Sequence, residues 1–165
     1  MNRKRIYLCL AHMSGNEMKY IQDAFDTNWV VPLGPNVNGF EKDLESFVGQ
    51  DKKVVALSAG TAAVHLALLD CDVKAGDEVM VQSFTFCASS NPIKYLGAKP
   101  VFVDSEKETW NMDPQLLDQA IADRIEKTGK KPKAIIVVYL YGMPAKIDEI
   151  LQVANKYDIP LIEDA

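Results

Sequence analysis

Apolar residues in the first third of the chain recur at the three- and four-residue spacing of amphipathic helices. The stretch Ser14-Gly15-Asn16-Glu17 has the form of a capping box, and the apolar stripe after it predicts a helix from about Gly15 to Asp26. Residues 28–37 contain prolines and a glycine, which break regular structure. A second amphipathic stretch then predicts a helix from about Asn38 to Gly49.

From Lys53 onward the pattern changes to short apolar runs that alternate with helical segments. Strands are predicted at Val54–Ser58, Glu78–Ser83, Pro100–Asp104, Ala134–Tyr139 and Pro160–Glu163. Helices are predicted at Thr61–Leu69, Ala88–Leu96, Asp113–Ile125 and Ile147–Tyr157. Because the strands are almost wholly apolar, both faces of the sheet must be covered, which predicts a three-layer α/β domain with a mainly parallel sheet.

Composition and charge narrow the classes of function. A net charge of −5 and a pI near 5.0 argue against a surface that binds nucleic acid. The cysteines lack C-x-x-C spacing and only two histidines are present, which predicts no metal site and no disulfide framework and favours a reducing, cytoplasmic setting. No apolar run approaches the length of a membrane span, so no membrane partner is expected.

The segment Ser58-Ala59-Gly60-Thr61-Ala62-Ala63 stands between a predicted strand and a predicted helix. Its small residues would let the backbone approach a ligand, and the free N–H groups at the start of the helix favour an anion such as phosphate. Small residues here also allow a helix to pack closely on a strand, so the turn alone leaves both interpretations open. The segment has neither the G-x-G-x-x-G pattern of dinucleotide-binding folds nor that of a Walker A loop.

Two further features stand at the predicted carboxyl ends of strands. Ser83-Phe84-Thr85-Phe86 carries two aromatic rings, one of which could lie on a planar ligand, although aromatic residues more often fill a core. Asp164 could pair with a protonated ring nitrogen or could cap the next helix. Together with the small-residue turn, these are the contacts that a phosphorylated pyridine aldehyde requires. His65, alone inside a helix, is expected to have a packing role.

Six motifs, in this order and spacing, resemble those of the DegT/DnrJ/StrS-type sugar aminotransferases, and they cover nearly the whole chain. They are Ser58–Leu68, Gly76–Val79, Ser83–Phe86, Gly97–Asp104, Tyr141–Ala145 and Ile162–Ala165. Because six ordered motifs are far more specific than any one of them, the chain is identified as a member of this family.

The resemblance implies a fold type I transferase that depends on pyridoxal 5'-phosphate and works as a homodimer. Residues 1–50 would form an amino-terminal arm with helices, and residues 51–165 would form the amino-terminal part of the large domain. Carried over by position, Gly60, Thr61 and Ala62 resemble the phosphate-binding turn. Phe86 resembles the aromatic residue that stacks on the pyridine ring, and Asp164 resembles the partner of the ring nitrogen.

The resemblance also implies transfer of an amino group, with glutamate as the expected donor, to a nucleotide-linked keto sugar for polysaccharide or glycan biosynthesis. A UDP-linked 4-keto-6-deoxy-N-acetylhexosamine is the expected type of substrate. In the family the Schiff-base lysine lies downstream of the residue that matches Asp164, and the chain ends one residue after it. None of the fifteen lysines can be carried over, so the chain is expected to be a truncated portion that does not transaminate alone.

Three alternatives remain open. The chain could be a non-catalytic or split-gene fragment that binds cofactor or sugar nucleotide, or it could belong to a dehydratase of the same family, in which a histidine would replace the missing lysine. A dinucleotide-dependent oxidoreductase fits the alternation of strands and helices but lacks the glycine fingerprint, and it ranks lowest.

Overall fold

The computed structural model describes residues 4–7, 11–49 and 51–165. The chain divides into two compact units, Met1–Ala56 and Leu57–Ala165. Neither helix of the first unit buries a residue, whereas the second unit contains the buried core. Among the described residues, no helix is long and apolar enough to cross a membrane.

The first unit contains two amphipathic helices, α1 (Glu17–Asp26) and α2 (Pro35–Val48). Both differ from prediction at their starts. Helix α1 begins two residues later than expected, because the Glu17 carboxylate accepts hydrogen bonds from the backbone N–H groups of Ser14 and Gly15 at 2.6 and 2.9 Å. Helix α2 begins three residues earlier, since Pro35 at its first position has the fixed φ angle that a helix start favours.

The second unit is a parallel sheet with helices between its strands. The strand order is β2-β1-β3-β4, and every neighbouring pair is parallel. The strands are β1 (Glu78–Gln82), β2 (Lys99–Val103), β3 (Ala134–Val138) and β4 (Leu161–Asp164). The helices are α3 (Gly60–Asp70), α4 (Asn91–Tyr95), α5 (Pro114–Thr128) and α6 (Ile147–Tyr157). These elements confirm the predicted α/β fold.

The sheet has a separate apolar core on each face, which makes the unit three-layered. On β3, Ala134, Ile136 and Val138 face a core that includes residues of α3 and α4, whereas Ile135 and Val137 face a core that includes residues of α5 and α6. All five β3 residues are buried, so this strand is apolar throughout rather than alternating. The predicted coverage of both faces is confirmed.

Two further predicted elements differ from the structure. Val54–Ser58 forms no strand, because the backbone N–H groups of Val54 and Ala56 donate to the side chains of Glu45 and Glu41 on α2 instead of to a neighbouring strand. The helix predicted at Ala88–Leu96 is divided into a 3₁₀ turn at Cys87–Ser89 and the short helix α4.

Candidate cofactor site

A cavity of about 520 Å³ lies at the carboxyl ends of β1, β3 and β4. In parallel α/β sheets this is the edge at which ligands bind. Of the residues predicted to contact the cofactor, four line this cavity: Gly60, Thr61, Phe86 and Asp164. Ala62 does not line it. The sheet thus brings three distant parts of the sequence to one site.

The turn before α3 presents backbone donors to the cavity. Ala59 is extended and caps the helix, and its carbonyl accepts hydrogen bonds from the N–H groups of Ala62 and Ala63 at 3.0 and 3.2 Å. The N–H groups of Gly60 and Thr61 have no backbone partner among the described residues. They are therefore the donors that an anion could use, together with the positive end of the helix dipole.

Phe86 stands at the cavity with most of its ring uncovered. Its side chain is 77% exposed, although large aromatic residues normally bury their rings. Phe84 also lines the cavity but packs edge-to-face against Trp110, with 6.1 Å between the ring centroids. Of the two aromatic residues that the sequence left open, Phe86 therefore has the freer face for a planar ligand.

Asp164 ends β4 and is held by a hydroxyl that the sequence interpretation did not consider. Ser89 Oγ donates to Asp164 Oδ2 at 2.6 Å, and Thr85 Oγ1 lies 3.0 Å from Ser89 Oγ. Ser89 is only 2% exposed, so its hydroxyl needs an internal partner. The aromatic rings of the Ser-Phe-Thr-Phe motif indicate a possible ligand contact. Thr85 and Ser89, in contrast, follow no sequence pattern that distinguishes them from ordinary loop residues.

A second buried network fixes the loops around the cavity. Gln82, at the end of β1, accepts a hydrogen bond from the N–H of Val138 at 3.1 Å and donates to the carbonyl of Phe84 at 2.9 Å. Asn111 accepts from the N–H of Leu140 at 2.9 Å and donates to the carbonyl of Met143 at 2.8 Å. Both amide side chains are fully buried, and they join the loops that follow β1, β2 and β3.

A neighbouring cavity of about 480 Å³ shares Phe84, Leu140 and Tyr141 with the first. Trp110 also lines it, and both Trp110 and Tyr141 have left-handed backbone conformations, with φ angles of 64° and 52°. Such angles are strained for bulky residues and tend to occur near functional sites. The two cavities are therefore adjacent, with the three shared residues between them.

Tyr139 contributes a phenol that stays protonated. Its hydroxyl donates to the carboxylate of Glu163, and burial together with this hydrogen bond raises the pKa of Tyr139 to about 12. Tyr139 lines the first cavity. At neutral pH it is therefore a neutral wall of the site and not a base.

His65, the remaining candidate from the sequence, does not line either cavity. It packs edge-to-face against Tyr95 with 5.9 Å between ring centroids, in keeping with its predicted packing role.

The first cavity is lined without a basic side chain. No lysine and no arginine is among the residues that line it, all of which the structure describes. An amine that could bond to an aldehyde is thus absent from this cavity in the described part of the chain.

Comparison with known proteins identifies relatives along almost the whole chain. The profile of the DegT/DnrJ/EryC1/StrS aminotransferase family matches residues 11–165. EpsN of Bacillus subtilis, provisionally named a pyridoxal phosphate-dependent aminotransferase, is 52% identical over 98% of the chain and 41% of its own length. The GDP-perosamine synthase of Caulobacter vibrioides is 38% identical over 98% of the chain and 41% of its own length.

A third relative is named for a UDP-linked sugar, whereas the synthase of Caulobacter vibrioides is named for a GDP-linked one. The UDP-2-acetamido-2-deoxy-3-oxo-D-glucuronate aminotransferase of Pseudomonas aeruginosa is 44% identical over 81% of the chain and 35% of its own length. The chain therefore spans about two fifths of the length of these curated relatives.

Solved structures give the same result for the fold. A DegT DnrJ EryC1 StrS aminotransferase from Brucella abortus superposes with a TM-score of 0.78 at 33% identity, covering 92% of the chain and 43% of that structure. NtdA of Bacillus subtilis, solved with the bound cofactor PMP, superposes with a TM-score of 0.78 at 31% identity, covering 93% of the chain and 34% of that structure.

Proposed function

The chain belongs to the DegT/DnrJ/EryC1/StrS aminotransferase family, and from this premise we propose that the cavity at the carboxyl edge of its sheet binds pyridoxal phosphate. The family depends on this cofactor, and the described sheet is part of the large domain of a fold type I transferase. The observation that carries the proposal is that a helix N-terminus, an uncovered aromatic ring and a carboxylate line one cavity.

Each of these groups has a distinct task in the proposed site. The N–H groups of Gly60 and Thr61, with the Thr61 hydroxyl, bind the phosphate, while Ala62 extends the helix whose dipole favours the anion. Phe86 holds the pyridine ring by stacking on its face. Asp164 accepts a hydrogen bond from the ring nitrogen and keeps a proton there, which favours the positively charged ring.

The bound cofactor supplies an aldehyde that carries the amino group and a ring that withdraws electrons from the carbon that loses a proton. The contribution of this chain is to orient the ring and to stabilise its charge. Tyr139 and Leu140 form part of the apolar wall that excludes water from the ring. The amine that holds the cofactor covalently and moves the proton is proposed to lie outside these 165 residues.

For the whole protein we propose transfer of an amino group, with glutamate as donor, to a nucleotide-linked keto sugar in polysaccharide or glycan biosynthesis. Two relatives are named for nucleotide-linked sugars, one with GDP and one with UDP, which supports the substrate class. A UDP-linked 4-keto-6-deoxy-N-acetylhexosamine stays our proposed substrate type, and a homodimer stays the proposed assembly. Comparing turnover of UDP- and GDP-linked keto sugars by the whole protein tests this choice.

The cofactor proposal is tested by titrating the chain with pyridoxamine phosphate and measuring the heat of binding. We expect saturable binding that Thr61→Ala and Asp164→Asn each weaken about tenfold, because the first removes a hydroxyl contact to the ligand and the second removes the charge that strengthens the hydrogen bond to the ring nitrogen. Lys156→Ala serves as the control, since Lys156 pairs with Asp118 on the surface and does not line the cavity. Equal affinity in all four proteins would contradict the proposed site.

A second candidate function is a cofactor-binding portion without activity of its own, and the absence of lysine from the lining of the cavity favours it. Adding pyridoxal phosphate, reducing with borohydride and measuring the mass tests what both candidates assume, that this chain does not supply the amine. A stoichiometric adduct on one lysine would contradict that assumption. We expect no such specific adduct.

A further inference from the structure

Asp164 is tied to the segment after β1 by a relay of two hydroxyl groups. A serine hydroxyl has one proton, and a carboxylate can only accept, so Ser89 must donate its proton to Asp164 at 2.6 Å. Its oxygen is then free to accept, and Thr85, 3.0 Å away, is the donor. The proton donors therefore run in one direction, from Thr85 to Ser89 to Asp164.

The relay crosses the sheet between strands that are not neighbours. Thr85 and Ser89 follow β1, Asp164 ends β4, and β3 lies between these two strands. Phe86 lies between the two hydroxyl residues in sequence, and the N–H of Ser89 donates to the Phe86 carbonyl at 3.1 Å in the 3₁₀ turn. The bond from Ser89 to Asp164 thus couples the position of the exposed ring to that of the carboxylate.

The relay fixes the position of the Asp164 carboxylate through neutral partners. Hydroxyl groups donate hydrogen bonds to a carboxylate without neutralising its charge, whereas a lysine or arginine partner would neutralise it. No ion pair to Asp164 is found among the described residues, and only one of its two oxygens, Oδ2, is used by the relay. The other oxygen remains for a ligand in the cavity.

We propose that Thr85 and Ser89 are positioning residues that hold the Asp164 carboxylate oriented toward the ring nitrogen of the cofactor. The inference rests on the proposed function for the ligand that it names. The relay itself rests on geometry alone: a buried hydroxyl, a short bond to a carboxylate at a cavity wall, and a second hydroxyl that orients the first.

The relay is tested first without cofactor, by recording the chemical shift of the Asp164 carboxyl carbon by nuclear magnetic resonance at a fixed neutral pH. Ser89→Ala is expected to change this chemical shift, since it removes the hydrogen bond to Asp164 Oδ2. Thr85→Val should change it by less, and Ser89→Thr, which keeps a hydroxyl, should restore it. An unchanged chemical shift in folded Ser89→Ala protein overturns the relay.

Ser90→Ala provides a matched control, because the Ser90 hydroxyl donates to the carbonyl of Cys87 at 3.2 Å and takes no part in the relay. We expect it to leave the chemical shift of the Asp164 carboxyl carbon unchanged. A change equal to that of Ser89→Ala would attribute the effect to general loosening of the loop and would overturn the proposal. Because Thr85→Val removes only the hydroxyl and keeps a branched side chain, it tests the relay even if Ser89→Ala unfolds.

The orienting role is tested with pyridoxamine phosphate and with its 1-deaza analogue, in which carbon replaces the ring nitrogen. Ser89→Ala should weaken binding of pyridoxamine phosphate about tenfold and leave the analogue unaffected, because the analogue makes no bond to Asp164. Equal weakening of both ligands overturns the role toward the ring nitrogen. Failure of the wild-type chain to bind either ligand, while Ser89→Ala still changes the Asp164 chemical shift, instead refutes the proposed cofactor site.

Discussion

At the residue scale, the uncovered ring of Phe86 is the feature that the core does not explain. A Phe that is 77% exposed buries little apolar area in this structure, so its position must depend on the backbone around it. The 3₁₀ turn at Cys87–Ser89 supplies that support, because its last N–H bonds to the Phe86 carbonyl. The ring is thus available to stack on a ligand without first leaving a packed core.

Phe86→Ala should weaken binding of pyridoxamine phosphate by roughly threefold to tenfold, which corresponds to the stacking contribution of one aromatic ring. Isothermal titration measures the change. Phe102→Ala is the matched control, since Phe102 is also exposed, at 56%, but does not line the cavity. If both variants bind as the wild type does, Phe86 does not contact the ligand.

Tyr141 holds a left-handed backbone angle that its side chain disfavours. Tyr141→Gly should raise the free energy of unfolding by up to about 1 kcal/mol, because glycine adopts this angle without strain and the ring is 79% exposed. Met143 in the same loop has an ordinary φ angle of −77°. Met143→Gly should therefore lower the free energy of unfolding by about 0.5–1 kcal/mol, because glycine loses more conformational freedom on folding and relieves no strain there. Urea unfolding of both variants measures the contrast, and a loss of stability in Tyr141→Gly would show that the ring packs more than its exposure suggests.

At the element scale, the loop between β2 and α5 is held by a buried carboxylate rather than by an apolar core. Glu106 accepts hydrogen bonds from the hydroxyl and N–H of Thr109 and from the N–H of Glu108, and Lys146 lies 3.6 Å away. These bonds, that of the Thr109 hydroxyl first, lower the pKa of Glu106 from 4.5 to about 2. The loop that carries Trp110 therefore depends on a charge.

This dependence predicts how stability changes with acid. A depressed pKa in the folded state contributes stability that is complete above pH 4.5 and is lost as the pH falls toward 2. Glu106→Gln should make the free energy of unfolding less dependent on pH in this range. It should also lower the free energy of unfolding at neutral pH by about 1 kcal/mol, because an amide accepts fewer hydrogen bonds. Urea unfolding at several pH values measures both effects. Glu108→Gln, at an exposed carboxylate of the same loop, is the control and should leave the stability at neutral pH nearly unchanged.

Helix α5 is fixed to the sheet by a two-bond ion pair at the amino end of β1. Arg124 donates to both carboxylate oxygens of Glu78 at 2.8 Å, and the two side chains are 25% and 15% exposed. Arg124→Ala should lower the free energy of unfolding by about 1–2 kcal/mol, because it leaves a largely buried carboxylate unpaired.

Lys127→Ala on the same helix is the control for this ion pair. Lys127 pairs with Asp123 on the surface, and such pairs contribute at most about 0.5 kcal/mol. Denaturant unfolding of the two variants side by side gives the comparison. Equal losses would mean that α5 is held by its apolar face alone.

At the scale of the whole molecule, the sequence predicts a helix or strand correctly where the residues of that segment alone determine which of its faces are buried. The wholly apolar β3 and the amphipathic α6 form where the pattern predicts, because apolar residues occupy both faces of the first and one face of the second. Val54–Ser58 has the same apolar character but forms no strand, since its backbone donors bond to carboxylates of α2. Strand formation needs a partner, and the pattern of one segment does not specify its partner.

The residues of the candidate site likewise fall into those that the sequence predicts and those that only the structure identifies. Gly60, Phe86 and Asp164 could be found because each follows or ends a predicted strand and carries a recognisable chemistry, although the strand predicted before Gly60 does not form. Ser89 and Thr85 could not, because their importance depends on Asp164, which is 75 residues from Ser89 along the chain. Gln82 and Asn111 likewise gain their roles only when the loops after three strands meet.

The two units should also differ in how readily they open. Helices α1 and α2 bury no residue, whereas the sheet unit contains fully buried residues on both faces of β1 and β3. Because local opening is easier where little apolar surface is buried, amides of α1 and α2 should exchange with deuterium much faster than those of β1 and β3. Saturating pyridoxamine phosphate should slow exchange in residues 57–165, since a ligand stabilises only the state that binds it. Exchange measured by mass spectrometry tests both statements, and slowing confined to residues 17–48 would locate the ligand outside the proposed cavity.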